Sequence, residues 1–250
     1  MKFHPGLAGA VVAVALSAGA LWGAQTPQQY GPAAPAVSAG QSVVVELFTS
    51  QGCSSCPPAD VLIGKLSQQP NIVAITRPVT YWDQLGWKDT LAKPENTNLQ
   101  RAYAKKGLRG AGVYTPQAVV QGANGAVGSD ARTLNALIAD AAAHVNASLD
   151  VSGSGASRQV KVNGGARPAG TLRIVALKSQ AVVAINAGEN GGRKVTYHNV
   201  LLSDRDIGRW TAKGQSFALP ADATSVRGAD RYALILQDGA SGPILAARML

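Results

Sequence analysis

Two textures of apolar and polar positions divide the chain. From Val43 to Val145 the apolar residues fall into short unbroken runs and helical stripes, whereas from about Ala147 they alternate in brief segments between Gly-rich turns. Val43 to Thr49 is nearly all apolar, the pattern of a strand buried on both faces of a sheet. Pro57 and Pro58 fit only the first turn of a helix, with Ser54 or Ser55 as its cap. Ala59, Leu62, Ile63 and Leu66 then share one face, and the helix should stop near Gln69-Pro70. Ile72 to Tyr81 predicts a second strand whose end is weakened by Pro78. Pro94 and Glu95 open a second helix with Leu99, Ala102 and Tyr103 on one face; Arg101, Lys105 and Lys106 suit its negative end and Gly107 its stop. Ala118 to Val120 and Val127 flank Asn124-Gly125, which signals a hairpin turn. Ser129 or Asp130 begins a third helix carrying Leu134, Leu137, Ile138, Ala141 and Val145.

In the second texture the segments are Leu149 with Val151, Val160 with Val162, Leu172 to Leu177, Val182 to Ile185, Val195 to Leu202, Tyr232 to Leu236, and Ile244 to Ala246. About seven such segments over some hundred residues predict a small β-sandwich. The chain therefore reads as α/β, with one domain over residues 42–146 and a β-sandwich-like domain over 147–250.

Residues 1–24 read as an export signal, with Lys2 before the apolar stretch Leu7 to Leu16 and Ala18-Gly19-Ala20 as an A-x-A cleavage site. The competing reading is an uncleaved anchor, since Gly6 to Ala24 approaches the length of a membrane span. Residues 25–41 are rich in Pro, Ala and Gln without periodicity and read as a flexible leader. The expected location is periplasmic or secreted, with at most peripheral or N-terminally anchored membrane association. Of 250 residues, 46% are hydrophobic and 15% charged, which excludes a disordered chain. The net charge of +9 is spread along the sequence and no basic run is interleaved with aromatics, so nucleic acid is not an expected partner.

The only two cysteines are Cys53 and Cys56, spaced Cys-Ser-Ser-Cys between the first strand and the first helix. A helix N-terminus offers unpaired N–H groups and a positive dipole end, which favour a thiolate on the first cysteine. Cys53 would then be the attacking thiol and Cys56 the resolving one. A structural disulfide remains an alternative, although closing so short a loop constrains the unfolded chain by only about 2 kcal/mol. Zinc would need two more ligands, and His4, His144 and His198 lack finger-like spacing. No metal and no cofactor is expected. Copper(I) would suit two thiolates, but the only methionines, Met1 and Met249, form no copper-binding loop.

Strand, helix, strand, helix, hairpin, helix is the order of the thioredoxin fold. The stretch ELFTSQGCSSCPPAD from Glu46 to Asp60 resembles the signature of an uncharacterised family of predicted secreted thioredoxin-like proteins, domain of unknown function 1223. So do Tyr81-Trp82-Asp83, the run Leu85 to Thr90, Tyr114-Thr115-Pro116-Gln117, and Gly188-Glu189-Asn190 with Tyr197 and Asn199. The resemblance runs from about residue 42 to the C-terminus. It implies a cis-proline at Pro116 packed beside the cysteine pair, with Thr115 offering backbone groups to an extended substrate. Two departures stand out: Pro78 and Thr80 replace a His and an Asp, and Gly52 stands where thioredoxin carries Trp. The family has no settled activity, so it implies no substrate.

Glu46, the one charge in the first strand, is the candidate proton acceptor for Cys56; its alternative is an ion pair with a base such as Arg77. Trp82 and Trp87 either line a peptide groove or fill the core between the domains. Gly188 to Arg193 reads as a turn with Asn190-Gly191 at its tip. The expected function is thiol-disulfide exchange with a cysteine-containing polypeptide or envelope redox partner. The alternative is a non-enzymatic binding protein with a fixed disulfide.

Overall fold

The computed structural model describes residues 1–2, 42–145, 147–165, 169–211 and 213–250; the expected signal and leader lie outside them but for Met1 and Lys2. From Ser42 onward the described residues belong to one compact unit. The architecture is mixed α/β, a large sheet with a few helices.

The first half follows the expected order. β1 (Val43–Thr49) leads into α1 (Pro57–Leu66), β2 (Ile72–Pro78), α2 (Pro94–Lys105), the hairpin β3 (Gln117–Val120) and β4 (Asn124–Val127), and α3 (Ala131–His144). β1 pairs in parallel with β2 and antiparallel with β3. All seven of its residues are buried, and they alternate between two environments. Val43, Val45 and Leu47 join Ala59, Leu62, Ile63 and Leu66 of α1 and Leu134 and Ile138 of α3. Val44 and Phe48 face the other way, Phe48 packing with Tyr103 of α2. The sheet thus has α1 and α3 on one face and α2 on the other.

Asp130 caps α3 as expected, its carboxylate accepting from Thr133 N at 3.0 Å. The cap of α1 is Cys56 rather than Ser54 or Ser55, with Pro57 and Pro58 as the first helical residues. The hairpin turn is also displaced from Asn124-Gly125, which lie in β4 opposite Val120 and Val119. The chain reverses at Gln121 and Gly122, with φ of 54° and 60°. Gln121 is held there by bonds to Val44 of β1 and to Ile244, so its tertiary partners offset the strain of a left-handed conformation. Gly125 lacks a side chain for another reason: a Cβ there would lie 2.6 Å from Gly110 O.

After α3 come β5 (Ala147–Ser152), β6 (Gln159–Gly164), β7 (Gly170–Ala184), β8 (Lys194–Trp210), β9 (Ser216–Ala218), β10 (Arg231–Gln237) and β11 (Ile244–Met249). They do not make a sandwich of their own, as their alternation suggested. β7, β8, β10 and β11 extend the first sheet, in the order β11-β10-β7-β8-β2-β1-β3-β4, and only β5-β6-β9 forms a separate sheet. The small sheet covers one face of these strands, Leu149, Val160 and Val162 packing on Leu172, Trp210 and Leu236. The large sheet also curls. β11 returns to β1, where Ser42 N donates to Ala247 O at 3.1 Å and Val44 packs with Ile244 and Ala247.

The join between the halves is narrow. β8 meets β2 at one paired position, Thr76 opposite Val200. Beside it Asn199, at φ 47°, donates from Nδ2 to Ala74 O at 3.0 Å, a side chain doing what a ladder bond would otherwise do.

Candidate functional site

Cys53 and Cys56 form a disulfide across the turn between β1 and α1, with Cα atoms 5.4 Å apart. Both residues have no exposed surface, while Ser54 and Ser55 between them are exposed. The expected free donors at the helix start are absent. Pro57 and Pro58 have no N–H, Ala59 N donates to Cys56 O at 2.9 Å, and Cys56 N donates to Cys53 O at 3.2 Å. The dipole of α1 remains, and Ser55 Oγ lies 3.4 Å from Cys53 Sγ.

Three loops converge on this turn. From the segment after β2, Asp89 Oδ2 accepts from Gln51 N at 2.8 Å, and Trp87 Nε1 donates to Gln51 Oε1 at 2.8 Å. From the loop before β3, Thr115 Oγ1 accepts from Trp82 Nε1 at 2.8 Å, and a Cβ on Gly52 would lie 3.4 Å from Trp82 Cβ. The Thr115–Pro116 peptide is cis. Gly128, Pro116 and Ala59 of α1 meet at one point, since a Cβ on Gly128 would be 3.3 Å from the Cβ atoms of both neighbours. The third loop is the tip between β7 and β8. There Asn190, 1% exposed, donates from Nδ2 to Gln51 O at 3.0 Å and to Cys53 O at 2.8 Å, while Glu189 Oε2 accepts from Ser54 N at 3.0 Å.

The structure therefore gathers Cys53, Cys56, Trp82, Trp87, Thr115 and Pro116 in one place. It separates Glu46 from them. Glu46 points to the sheet face opposite α1, where Arg77 Nε donates to Oε1 at 2.7 Å and Tyr103 OH donates to Oε2 at 2.7 Å. The network continues through Asp204, which accepts from Arg77 Nη2 at 3.1 Å and pairs with Arg173 at 2.6 Å. Burial alone would make Arg77 more acidic, and the charges of Glu46 and Asp204 more than reverse that, holding it protonated. Glu46 is the paired carboxylate of the sequence alternative.

The carboxyl on the cysteine side is Asp60, 1% exposed and one helical turn after Cys56, to whose O its N–H donates at 3.1 Å. Thr49 Oγ1 donates to Oδ1 at 2.8 Å, and Oδ2 has no partner. Burial holds this carboxyl well above the usual carboxylate range; the Thr49 bond opposes the shift and the charge of Asp89 adds to it. Burial likewise pushes Asp89 up, against its backbone bonds from Gln51 and Leu91. Tyr197 is raised by burial and then by Asp60 and Asp89. By sequence Asp60 reads as a charge one turn into the helix that partly opposes a thiolate on Cys53, so that only moderate activation is expected; its burial favours the neutral carboxyl instead. Asn190 had one visible signal, its membership of Gly188-Glu189-Asn190, and its part in the site depends on a contact 137 residues away in sequence.

Among the described residues, no cluster of three or more His, Cys, Asp or Glu could hold a metal ion. No helix among them is long and apolar enough to cross a membrane.

The fold has solved counterparts. Protein AGR_C_4864 from Agrobacterium tumefaciens, known from an X-ray structure, is 29% identical, with a TM-score of 0.71 over 83% of this chain and 93% of that one. HBP35 of Porphyromonas gingivalis shares the fold at 13% identity and a TM-score of 0.54, over 86% of this chain and 76% of that one. No curated protein matches. A family model described as "Protein of unknown function (DUF1223)" matches residues 44–237, and the chain belongs to that family.

Proposed function

We propose that the protein is an exported, thioredoxin-like protein that exchanges disulfides with a cysteine-containing polypeptide or redox partner of the cell envelope. The observation that carries this reading is the placement of the Cys53–Cys56 bridge at the start of α1, under side chains from three loops, Thr115 and Pro116 among them. A bridge across so short a loop does little as a staple, so this convergence calls for another purpose. The strand order β2-β1-β3-β4, with α1 and α3 on one face and α2 on the other, supports the thioredoxin-like assignment.

In the exchange, a partner thiolate attacks Cys53 Sγ and the Cys53–Cys56 bond breaks. Cys56 leaves with the electron pair at the head of α1, and the protonated Asp60 carboxyl delivers its proton to that sulfur. A second partner thiolate then attacks the partner's sulfur in the mixed disulfide and Cys53 leaves as a thiolate, so the partner gains a disulfide, the protein is reduced by two electrons, and Cys53 and Asp60 take their protons from water. Run backwards, Asp60 takes the proton from Cys56 as it attacks the mixed disulfide. Asp60 takes the place first assigned to Glu46 because it is buried, lacks a counter-ion and follows Cys56 by one turn.

The burial of both sulfurs favours a second reading, a binding protein with a fixed disulfide. Equilibration of the folded protein in graded glutathione buffers, with thiols trapped by alkylation, separates the two. A potential between about −120 and −270 mV is expected of a working oxidoreductase. One below about −300 mV with slow exchange overturns the enzymatic reading.

A further inference from the structure

A groove of about 750 Å³ runs between α1 and β8, beginning at Pro57, the residue after Cys56. Val61, 59% exposed, and Val195 give it apolar walls, and Arg193 and Lys194 stand exposed at its rim. The two elements are drawn together at Gly64, where any Cβ would lie 2.5 Å from the ring of His198.

Two properties of this groove identify its occupant. The first is backbone. Lys194 to His198 pair with β7 along one edge, whereas β8 first pairs with β2 only at Val200. Among the described residues no strand pairs with the other edge over Lys194 to Tyr197, and the edge closes at His198, whose O accepts from Thr76 Oγ1 at 2.6 Å; an open edge beside a groove accepts an extended chain. The second is charge. Arg193 and Lys194 form no ion pair among the described residues, and Lys65 adds a third cation to the lining. The acidic group in the lining, Asp60, is buried; Glu189, outside the lining, keeps its charge at Ser54 N, so the cations at the rim outnumber the exposed carboxylate beside them. Arg193 follows directly on the tip whose Asn190 and Glu189 touch the cysteine turn, so the basic rim adjoins the exposed Ser54 and Ser55 that lie between the two buried cysteines.

We infer that the α1–β8 groove is the docking site for an extended, acidic segment of the partner polypeptide, laid along the edge of β8 with its cysteine beside the Cys53–Cys56 bridge. This names the substrate class for the proposed exchange and rests on that reading. The carboxylates of the segment meet Arg193 and Lys194, and its backbone supplies the partners that the edge of β8 lacks.

The test uses two peptides of about ten residues, each with one cysteine, flanked in one by Asp and Glu and in the other by Lys. Their rates of thiol exchange with the full oxidised chain are measured at low salt, beside those of mercaptoethanol, a small neutral thiol. The acidic peptide should react about tenfold faster than the basic one, and this preference should shrink in salt. It should vanish in the exposed double variant Arg193→Glu with Lys194→Glu, whose rate with mercaptoethanol should change far less than its rate with the acidic peptide. Mercaptoethanol exchange without any peptide preference, or a preference that survives the double variant, overturns the groove and leaves the exchange reading intact. Should no thiol react, fluorescence anisotropy of the acidic peptide with serine in place of cysteine decides. Binding that the double variant abolishes upholds the groove while the exchange reading falls, and no binding overturns both.

Discussion

Glu46 and Asp60 are both buried carboxyl groups, one shortly before the disulfide in sequence and one shortly after it, and they have opposite lives. Glu46 spends both oxygens on Arg77 and Tyr103, in a network that reaches Asp204 and Arg173 of the second half of the chain. Among the described residues the Asp60 carboxyl has one bond, from Thr49, and no cation paired with it. A buried carboxylate bonded through both oxygens holds parts of a fold together. An unpaired one is held neutral and can give its proton away. The difference follows from which face of the sheet each occupies: α1, with the cysteines at its head, covers the Asp60 side, and the curl of the sheet encloses the Glu46 side.

The contrast can be broken at its strongest point first. Arg77→Leu leaves Glu46 buried without its cation, while Asp204 keeps Arg173, and should cost about 3–5 kcal/mol in urea unfolding; a loss under about 1 kcal/mol would show that the network carries little. Glu46→Gln should lose stability yet exchange thiols at the wild-type rate across the pH range. Asp60→Asn should do the reverse. Because the folded state raises the pKa of Asp60, the wild type is favoured where this group is protonated in both states, and it loses stability as pH rises from about 4. The Asn variant lacks that loss, so at pH 8 it should be more stable by about 1–3 kcal/mol while exchanging more slowly. A variant with unchanged stability at high pH would mean that Asp60 finds a counter-charge. Asn190→Ala withdraws donors from two buried carbonyls and should cost about 1–2 kcal/mol, with faster attack on the disulfide by mercaptoethanol. Glu189→Gln, at the surface, should alter the exchange rate least and leave thermal unfolding in place.

How much of this was legible in the sequence depended on how local each cause was. The helices, β1 and the place of the cysteines follow from apolar spacing and prolines, which act within a few residues. The β3–β4 turn was misread because Asn124-Gly125 is a strong local signal, while Gln121 turns the chain through bonds to β1 and β11 that no local pattern announces. β8 was read only as far as Leu202. Its second half, Ser203 to Trp210, is rich in charge and reads as a loop, yet Asp204 and Asp206 pair with Arg173 of β7 and Arg205 with Asp222. β7 was read as two strands for a similar reason, since Lys178 to Gln180 interrupts its apolar run. The separate sandwich failed with these readings, because long strands with polar middles are what allow the second half to join the first sheet. Of the candidate site, the cysteines and Trp82, Trp87, Thr115 and Pro116 were visible as motifs. Asp60 was invisible as a proton carrier because its sequence neighbours say nothing of what buries it.

Asn190 also sets an order of events in time. A ribosome completes Cys53 well before it reaches residue 190, so the carbonyls of Gln51 and Cys53 remain open to water until most of the chain has been made. The cysteine turn is therefore completed by one of the later parts of the chain, when the β7–β8 tip closes over it.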